Sequence, residues 1–342
     1  MRGKNRRKHT FLSVIFLFFF VVSTTVTGCG EEEPTEESAT PHAGQQAAAE
    51  HERALKVEDG AMTAESTVIA VGQTPVTYSE YRTYYYFMNR QYTSLLGDEV
   101  WKQRVDSDKT IGQEAIEDVL RMIIQVKVIA KEAERQGVTL EADEKEDADY
   151  SAQQFFDGLD EEITRENMMT GQEMMKIFEE NRLAKKMYHV VTGQADAGAS
   201  QSGQNAYRVQ LLYKKAGEDR ESVRSEMDNL RKKIINSDKS FYVYAKEETE
   251  LPEVEEVIGS ADERQTLYTV ITTLQNGSIS DIIEESDGFY IAVVLEKPND
   301  TLDTEYQNEI VTRRQIEAFQ KTYETWSKSY DVDVSDSLLS EK

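Results

Sequence analysis

The sequence predicts an α+β protein: a mostly helical region with a small α+β domain inserted into it. Three observations point there. Apolar residues at helical spacing, opened by capping signals, fill residues 66–192. Beyond a Gly/Ser/Gln-rich stretch at 193–205 the pattern changes to a strand, a helix and later strands. A last amphipathic helix, in 298–342, then carries an apolar face with no partner in the second domain, so it should return to the helical region.

Residues 1–28 have the form of a leader. Arg2, Lys4, Arg6, Arg7 and Lys8 precede an apolar run from Phe11 to Val22, and Val26-Thr27-Gly28 leads to Cys29. A basic segment, an apolar segment and a small-residue cleavage site make a secretory signal. The run is broken by Ser23, Thr24 and Thr25. It is therefore shorter than the roughly 20 apolar residues of a permanent span. An ordinary signal peptide or an uncleaved anchor is the alternative. Residues 29–65 read as an acidic tether, with five glutamates between Glu31 and Glu37 and few large apolar residues, except for a possible short helix over Ala47–Leu55.

Order is expected from Thr67, with Val68-Ile69-Ala70-Val71 as a strand and Gly72-Gln73 as a turn. Thr77 and Glu80, Thr110 and Gln113, and Thr170 and Glu173 each have capping-box spacing. Tyr81, Tyr84, Tyr85, Met88, Tyr92 and Leu95 form a stripe on the first helix, and methionines crowd Met168 to Met187. Such stripes are more often core than binding faces. The helix after Thr110 is apolar around most of its circumference, which marks a central, buried helix ending at Gly137.

In the second domain, 206–297, Tyr207 to Tyr213 reads as a strand and Glu218 to Asn236 as a helix. Gly277 opens a turn, and Gly288 to Leu295 is the clearest strand in the chain. Ile316, Phe319, Tyr323, Trp326 and Tyr330 mark the last helix, with Val332 and Val334 as a short strand after it.

Composition narrows function. Net charge is −25, and loss of the five leader cations takes it to about −30, which disfavours nucleic acid and acidic lipid surfaces. Cys29 is the only cysteine, so no internal disulfide is possible. Four histidines, of which His189 stands alone on a helix, imply no metal site, and no cofactor motif is present.

Val26-Thr27-Gly28-Cys29 resembles the lipobox of bacterial lipoproteins, with the Cys29 thiol as acceptor for diacylglycerol (palmitate among its acyl groups). Three further segments, Thr67 to Glu80, Val126 to Leu140 and Asn276 to Ile291, occur in an order that resembles the SurA/PrsA-type extracytoplasmic foldases. The resemblance implies a SurA-like helical chaperone region with an inserted parvulin-type prolyl isomerase domain. It implies unfolded or newly secreted polypeptides as partners. It also implies a lipid-anchored position on the outer face of a bacterial membrane.

The catalytic positions depart from that pattern. Where parvulins carry histidines, this chain aligns Gln210 and Tyr290, and the Gly-Gly-x-Leu-Gly stretch is reduced to Glu255–Gly259. Gln210 and Tyr290 are expected on one groove of a four-stranded antiparallel sheet. Either could donate a hydrogen bond, which leaves open an active isomerase, a chaperone with a degenerate isomerase domain, or a surface adaptor or solute-binding lipoprotein.

Overall fold

The computed structural model describes residues 51–105, 109–193 and 205–339. The leader, Cys29 and the tether up to residue 50 lie outside the described residues. The chain forms two compact units, Met1–Val191 with Gln320–Lys342, and Thr192–Phe319. The α+β class with an inserted domain is as the sequence predicts.

In chain order the elements open with strands β1 (Thr67–Val71) and β2 (Thr74–Thr77). Helices α1 (Tyr78–Leu96), α2 (Ile111–Gln136), α3 (Ala142–Asp157), α4 (Glu161–Glu166) and α5 (Gly171–Thr192) follow, with a 3-10 turn at Asp98–Lys102. Next come β3 (Tyr207–Lys215), α6 (Arg220–Ile235), α7 (Phe241–Glu248), β4 (Glu255–Ile258) and α8 (Gln265–Thr273). The chain closes with β5 (Ile283–Glu284), β6 (Gly288–Glu296), α9 (Asp300–Ser327), β7 (Val332–Val334) and α10 (Asp336–Leu339).

In the helical unit the capping signals act where they were read. Thr110 and Gln113 make a full capping box on α2, and Gly137 ends that helix in the left-handed region. Thr170 Oγ1 accepts from Glu173 N at 3.1 Å. Thr77 Oγ1 accepts from Glu80 N at 3.1 Å, but the Glu80 carboxylate does not turn back to complete a box. It enters the core instead. Tyr81, Tyr84, Met174 and Met187 are fully buried, so both stripes are core over most of their length, while Leu95 at the end of the first and Met168 at the start of the second are exposed.

Glu80 (0 % exposed) and Lys127 (1 %) form a buried ion pair at 2.6 Å. Lys127 Nζ also donates to both oxygens of Glu180, at 2.7 and 2.5 Å, and Lys176 Nζ donates to Glu80 at 2.8 Å. Burial opposes the charge on Glu80, yet Lys127 and Lys176 hold its carboxyl below the usual range. Glu180 and Glu173 move the other way, raised by burial and then by the neighbouring Glu80 charge. Charges this deep persist only while each keeps its partner.

The three-stranded sheet has the order β2-β1-β7. β1 pairs antiparallel with β2 and, on its other edge, with β7, matching Ile69 to Val334 and Val71 to Val332. The return expected of the C-terminal segment is therefore made by a strand pairing. Trp326 and Tyr330 are buried in the same unit, and the Tyr330 hydroxyl donates to Glu132 Oε1 at 2.9 Å.

Two boundaries differ from the sequence reading. The tether expected to reach residue 65 is already docked at residue 51, where His51 Nε2 meets Asp331 Oδ1 at 2.7 Å, and residues 51–55 form no helix. Backbone hydrogen bonds hold this stretch, and polar composition does not reveal those. The last helix was expected to lie outside the second domain. Its first half packs on it, with Leu302, Tyr306 and Ile310 against Ala206 and Val257, and only residues from Gln320 on belong to the helical unit.

The second unit is built on a four-stranded sheet, order β4-β3-β6-β5, antiparallel throughout. Met227, Leu230 and Ile234 of α6 and Phe241 of α7 cover one face with Leu212, Phe289, Ile291 and Val293. Leu267 and Ile271 of α8 cover the other with Val209, Leu211, Tyr290 and Ala292.

The buried charge cluster yields a stability prediction. Lys127→Met leaves Glu80 and Glu180 facing each other without their shared cation, and should cost about 3–5 kcal/mol in urea unfolding. Glu80 is held below its unfolded value of 4.5, so its contribution is complete above that pH and is lost as pH falls through the folded value. Glu173 and Glu180, raised above 4.5, give the opposite slope from neutrality down to 4.5. Stability should therefore hold or rise on acidification to about pH 5 and fall below about 4.5.

Candidate functional site

The candidate site is the face of the four-stranded sheet that carries Tyr290. Side chains alternate along a strand with period two. On β3 this puts Tyr207, Val209, Leu211 and Tyr213 on one face, and Gln210 and Leu212 on the other. Register decides the rest. Tyr213 sits directly opposite Tyr290, whereas Gln210 sits opposite Val293. Gln210 stands three positions before Tyr213, an odd offset, so it faces away from Tyr290.

The expected pair is therefore not brought together. Gln210 lies on the face covered by α6 and α7 and donates through Nε2 to Glu255 Oε1 at 2.7 Å. The partner of Tyr290 is Tyr213, with ring centroids 4.6 Å apart. Gly288, just before them, admits no β-carbon, which would run into the Lys214 carbonyl and the Tyr213 ring. Gly288 thus has a packing reason here.

Both hydroxyls are committed to one residue. Tyr290 donates to Asp287 Oδ2 at 2.8 Å, and Tyr213 donates to the Asp287 carbonyl at 3.1 Å. Burial first, and the Asp287 carboxylate second, push the Tyr213 hydroxyl up to about 12 and that of Tyr290 well above the usual tyrosine range. Neither ionises near neutral pH. Tyr290 is 2 % exposed and Tyr213 9 %, so the rings fill the face themselves.

Arg264 lies over the Tyr290 ring at 5.7 Å. It donates to both oxygens of Glu256 at 2.8 and 3.0 Å and to Asp262 through Nε at 2.9 Å and a terminal nitrogen at 2.8 Å. Burial disfavours the Asp262 charge, but Arg264 outweighs it and holds the carboxyl low. The guanidinium is engaged on both sides. Sequence reasoning missed Tyr213, Asp287 and Arg264. The signal for Tyr213 was there, since it continues the 207, 209, 211 alternation.

The Gly277-Ser278-Ile279-Ser280 turn also has a structural role. Gly277 N donates to Val294 O at 2.8 Å and Ser280 N to Ala292 O at 2.9 Å. The buried Ser280 hydroxyl accepts from Ala292 N at 2.9 Å. The motif docks the turn onto β6. Among the described residues, no group of three or more His, Cys, Asp or Glu could hold a metal ion, and no helix is long and apolar enough to cross a membrane.

Residues 55–188 match the family model described as SurA-like N-terminal domain. Over this stretch the chain is similar to SurA-like N-terminal domains. The match begins at Leu55, inside the segment read as tether, and takes in β1 through most of α5. The match does not extend into the second unit. Comparison with curated proteins gives no match.

Solved structures give weaker likeness. A PrsA peptidylprolyl isomerase from Bacillus anthracis is 14 % identical, covering 59 % of this chain and 96 % of that one, TM-score 0.34. A structure from work on the SurA-like chaperones PEB4 and Cj1289 of Campylobacter jejuni is 12 % identical, covering 78 % and 98 %, TM-score 0.27. A PpiC-type isomerase domain is 20 % identical, covering 28 % and 94 %, TM-score 0.26. Likeness at these values carries no functional weight.

The site geometry predicts unequal effects of two substitutions outside the SurA-like domain. Tyr290→Phe removes a buried donor from Asp287 and should cost about 0.5–1.5 kcal/mol in urea unfolding. Gln210→Ala, on a partly exposed side chain, should stay within about 0.5 kcal/mol. The reverse order would mean that the register described here is wrong.

Proposed function

We propose that this chain is a membrane-anchored extracytoplasmic folding factor that holds unfolded or newly secreted polypeptides, and that its parvulin-like domain has little or no isomerase activity. The SurA-like N-terminal domain over residues 55–188 carries the first part. The basic leader, the apolar run and the lipobox-like Val26-Thr27-Gly28-Cys29 support lipid attachment at Cys29.

The second part follows from the chemistry. Rotation about a prolyl peptide bond must overcome a partial double bond, worth about 18–20 kcal/mol in an ordinary amide. A catalyst needs donors free to stabilise the twisted amide and room for the proline. Here the Tyr213 and Tyr290 hydroxyls are spent on Asp287, and Arg264 is spent on Glu256 and Asp262. Gln210 faces the other side of the sheet. The Gly277–Ser280 turn is accounted for by its bonds to β6.

Two assays test the two parts separately. Residues 29–342 at several-fold molar excess should suppress aggregation of an unfolded secreted protein. No suppression would sink the chaperone reading. In a protease-coupled assay on proline peptides the same protein should leave the rate at its uncatalysed value. A catalysed rate that drops in Tyr290→Phe would overturn the inactive-domain reading. Cys29→Ser should move the protein from the membrane to the soluble fraction.

A further inference from the structure

Residues 51–60 run as a strap beside β1, from Gly72 at one end to Thr67 at the other. Glu52 N donates to Ser329 O at 2.8 Å, and Asp331 N donates back to Glu52 O at 2.8 Å, in a parallel bridge between Glu52 and Tyr330. Leu55 N donates to Gly72 O at 2.9 Å, Val57 N to Asp333 Oδ2 at 3.2 Å, and Glu58 N to Thr67 O at 2.8 Å. Val57 is the only buried side chain of the ten, at 8 % exposure.

The seat beneath the strap takes both backbone and side chains. Four of its hydrogen bonds join backbone to backbone, groups that any polypeptide offers, which is the logic of strand-addition sites. Side chains add to them: Glu58 Oε1 accepts from Thr67 N at 3.2 Å, and Asp59 Oδ1 accepts from Ser335 Oγ at 2.9 Å and Asp336 N at 3.0 Å. Two further subsites take Glu52 and Val57. Glu52 Oε1 accepts from Lys131 Nζ at 2.9 Å and from Gln73 N at 2.6 Å. Burial resists the Glu52 charge, but Lys131 and the Gln73 N–H hold its carboxyl low. Gly72, at φ +55°, leaves room for that carboxylate, since a β-carbon there would lie 2.6 Å from Glu52 Oε1. The second subsite takes Val57, five positions on. A segment with one buried side chain and exposed neighbours has little apolar burial to hold it, so local opening costs less than unfolding the unit.

We propose that this seat is a binding site for extended polypeptide, held closed in cis by residues 51–60. Its preferred occupant carries a carboxylate side chain followed five positions later by a Val-sized apolar one. When the strap detaches, Lys131, the Gln73 N–H, Asp333 and the carbonyls of Thr67, Gly72 and Ser329 become available to such a segment. The inference deepens the reading of the chain as a holder of unfolded polypeptides. Its test uses a defined peptide, so it can fail while aggregation suppression succeeds, and the reverse.

The test uses residues 29–342, wild type and the double variant Glu52→Ala/Val57→Asp, with a fluorescent peptide of the sequence His51 to Gly60. The folded variant should bind the peptide at least tenfold more tightly than wild type, because its own strap no longer competes. Lys131→Ala in the variant background should weaken that binding. A peptide with Val57→Asp should not bind. In the wild type, amides of Leu55 and Glu58 should exchange with solvent many-fold faster than those of Ile69–Val71. A folded variant that ignores the peptide, strap amides as slow as β1, or a variant that fails to fold each overturns the proposal, the last by showing the strap to be integral.

Discussion

Strand β1 pairs on one edge with β2, its neighbour in sequence, and on the other with β7, near the far end of the chain. Most of what is distinctive in the fold depends on that second pairing. It fixes where the chain must return, so the second unit can only be an insertion between α5 and the end of α9. It brings Tyr330 to Glu132 and seats Trp326 in the helical unit. It also makes the seat for residues 51–60, whose partners come from β1, the β1–β2 turn and the segment around β7. Loop-closure cost grows slowly, by about 0.6 kcal/mol per doubling of length. A long insertion is therefore tolerated, particularly one with a core of its own.

The buried charge cluster is a second constraint on the same unit. Glu80 stands at the start of α1, Lys127 in the middle of α2, and Lys176 and Glu180 on α5. Replacing such a set with apolar residues would often leave stability unchanged or improved, so its effect is better sought in specificity. It fixes the relative sliding of three helices whose shared core also holds Met88, Met122 and Met174, side chains that adapt to several packings. The second unit shows the complementary economy. Its aromatic and charged groups satisfy one another across the Tyr213–Tyr290 face, which stabilises the domain and commits the Tyr213, Tyr290 and Arg264 donors to Asp287, Glu256 and Asp262.

Helices, caps and the insertion were legible in the sequence because they are written locally. Thr110 with Gln113, Gly137, and the stripes of α1 and α5 each need only a few neighbouring residues to be read. The α+β class and the SurA-like region followed from their order. What was not legible depends on pairing between distant segments. Residues 51–60 look like tether because their composition is polar and many of their hydrogen-bond partners lie almost at the other end of the sequence. Gln210 looked like the partner of Tyr290 because alignment supplies positions but not register, and a shift from Tyr213 to Gln210 crosses the sheet. The first half of α9 was assigned to the wrong unit because an amphipathic helix announces a buried face without naming what buries it.

The central claim is that clients are held by the helical unit, while the sheet face of Tyr213 and Tyr290 is closed by its own side chains. The most direct measurement is cross-linking of residues 29–342 to an unfolded secreted polypeptide carrying photoreactive groups, with the attachment sites mapped by mass spectrometry. The account predicts attachment on residues of the helical unit, including those around Gly72, Lys131 and Asp333, and none on the strands and turn carrying Tyr213, Asp287 and Tyr290. Attachment concentrated around Tyr213, Arg264 and Tyr290 would contradict it.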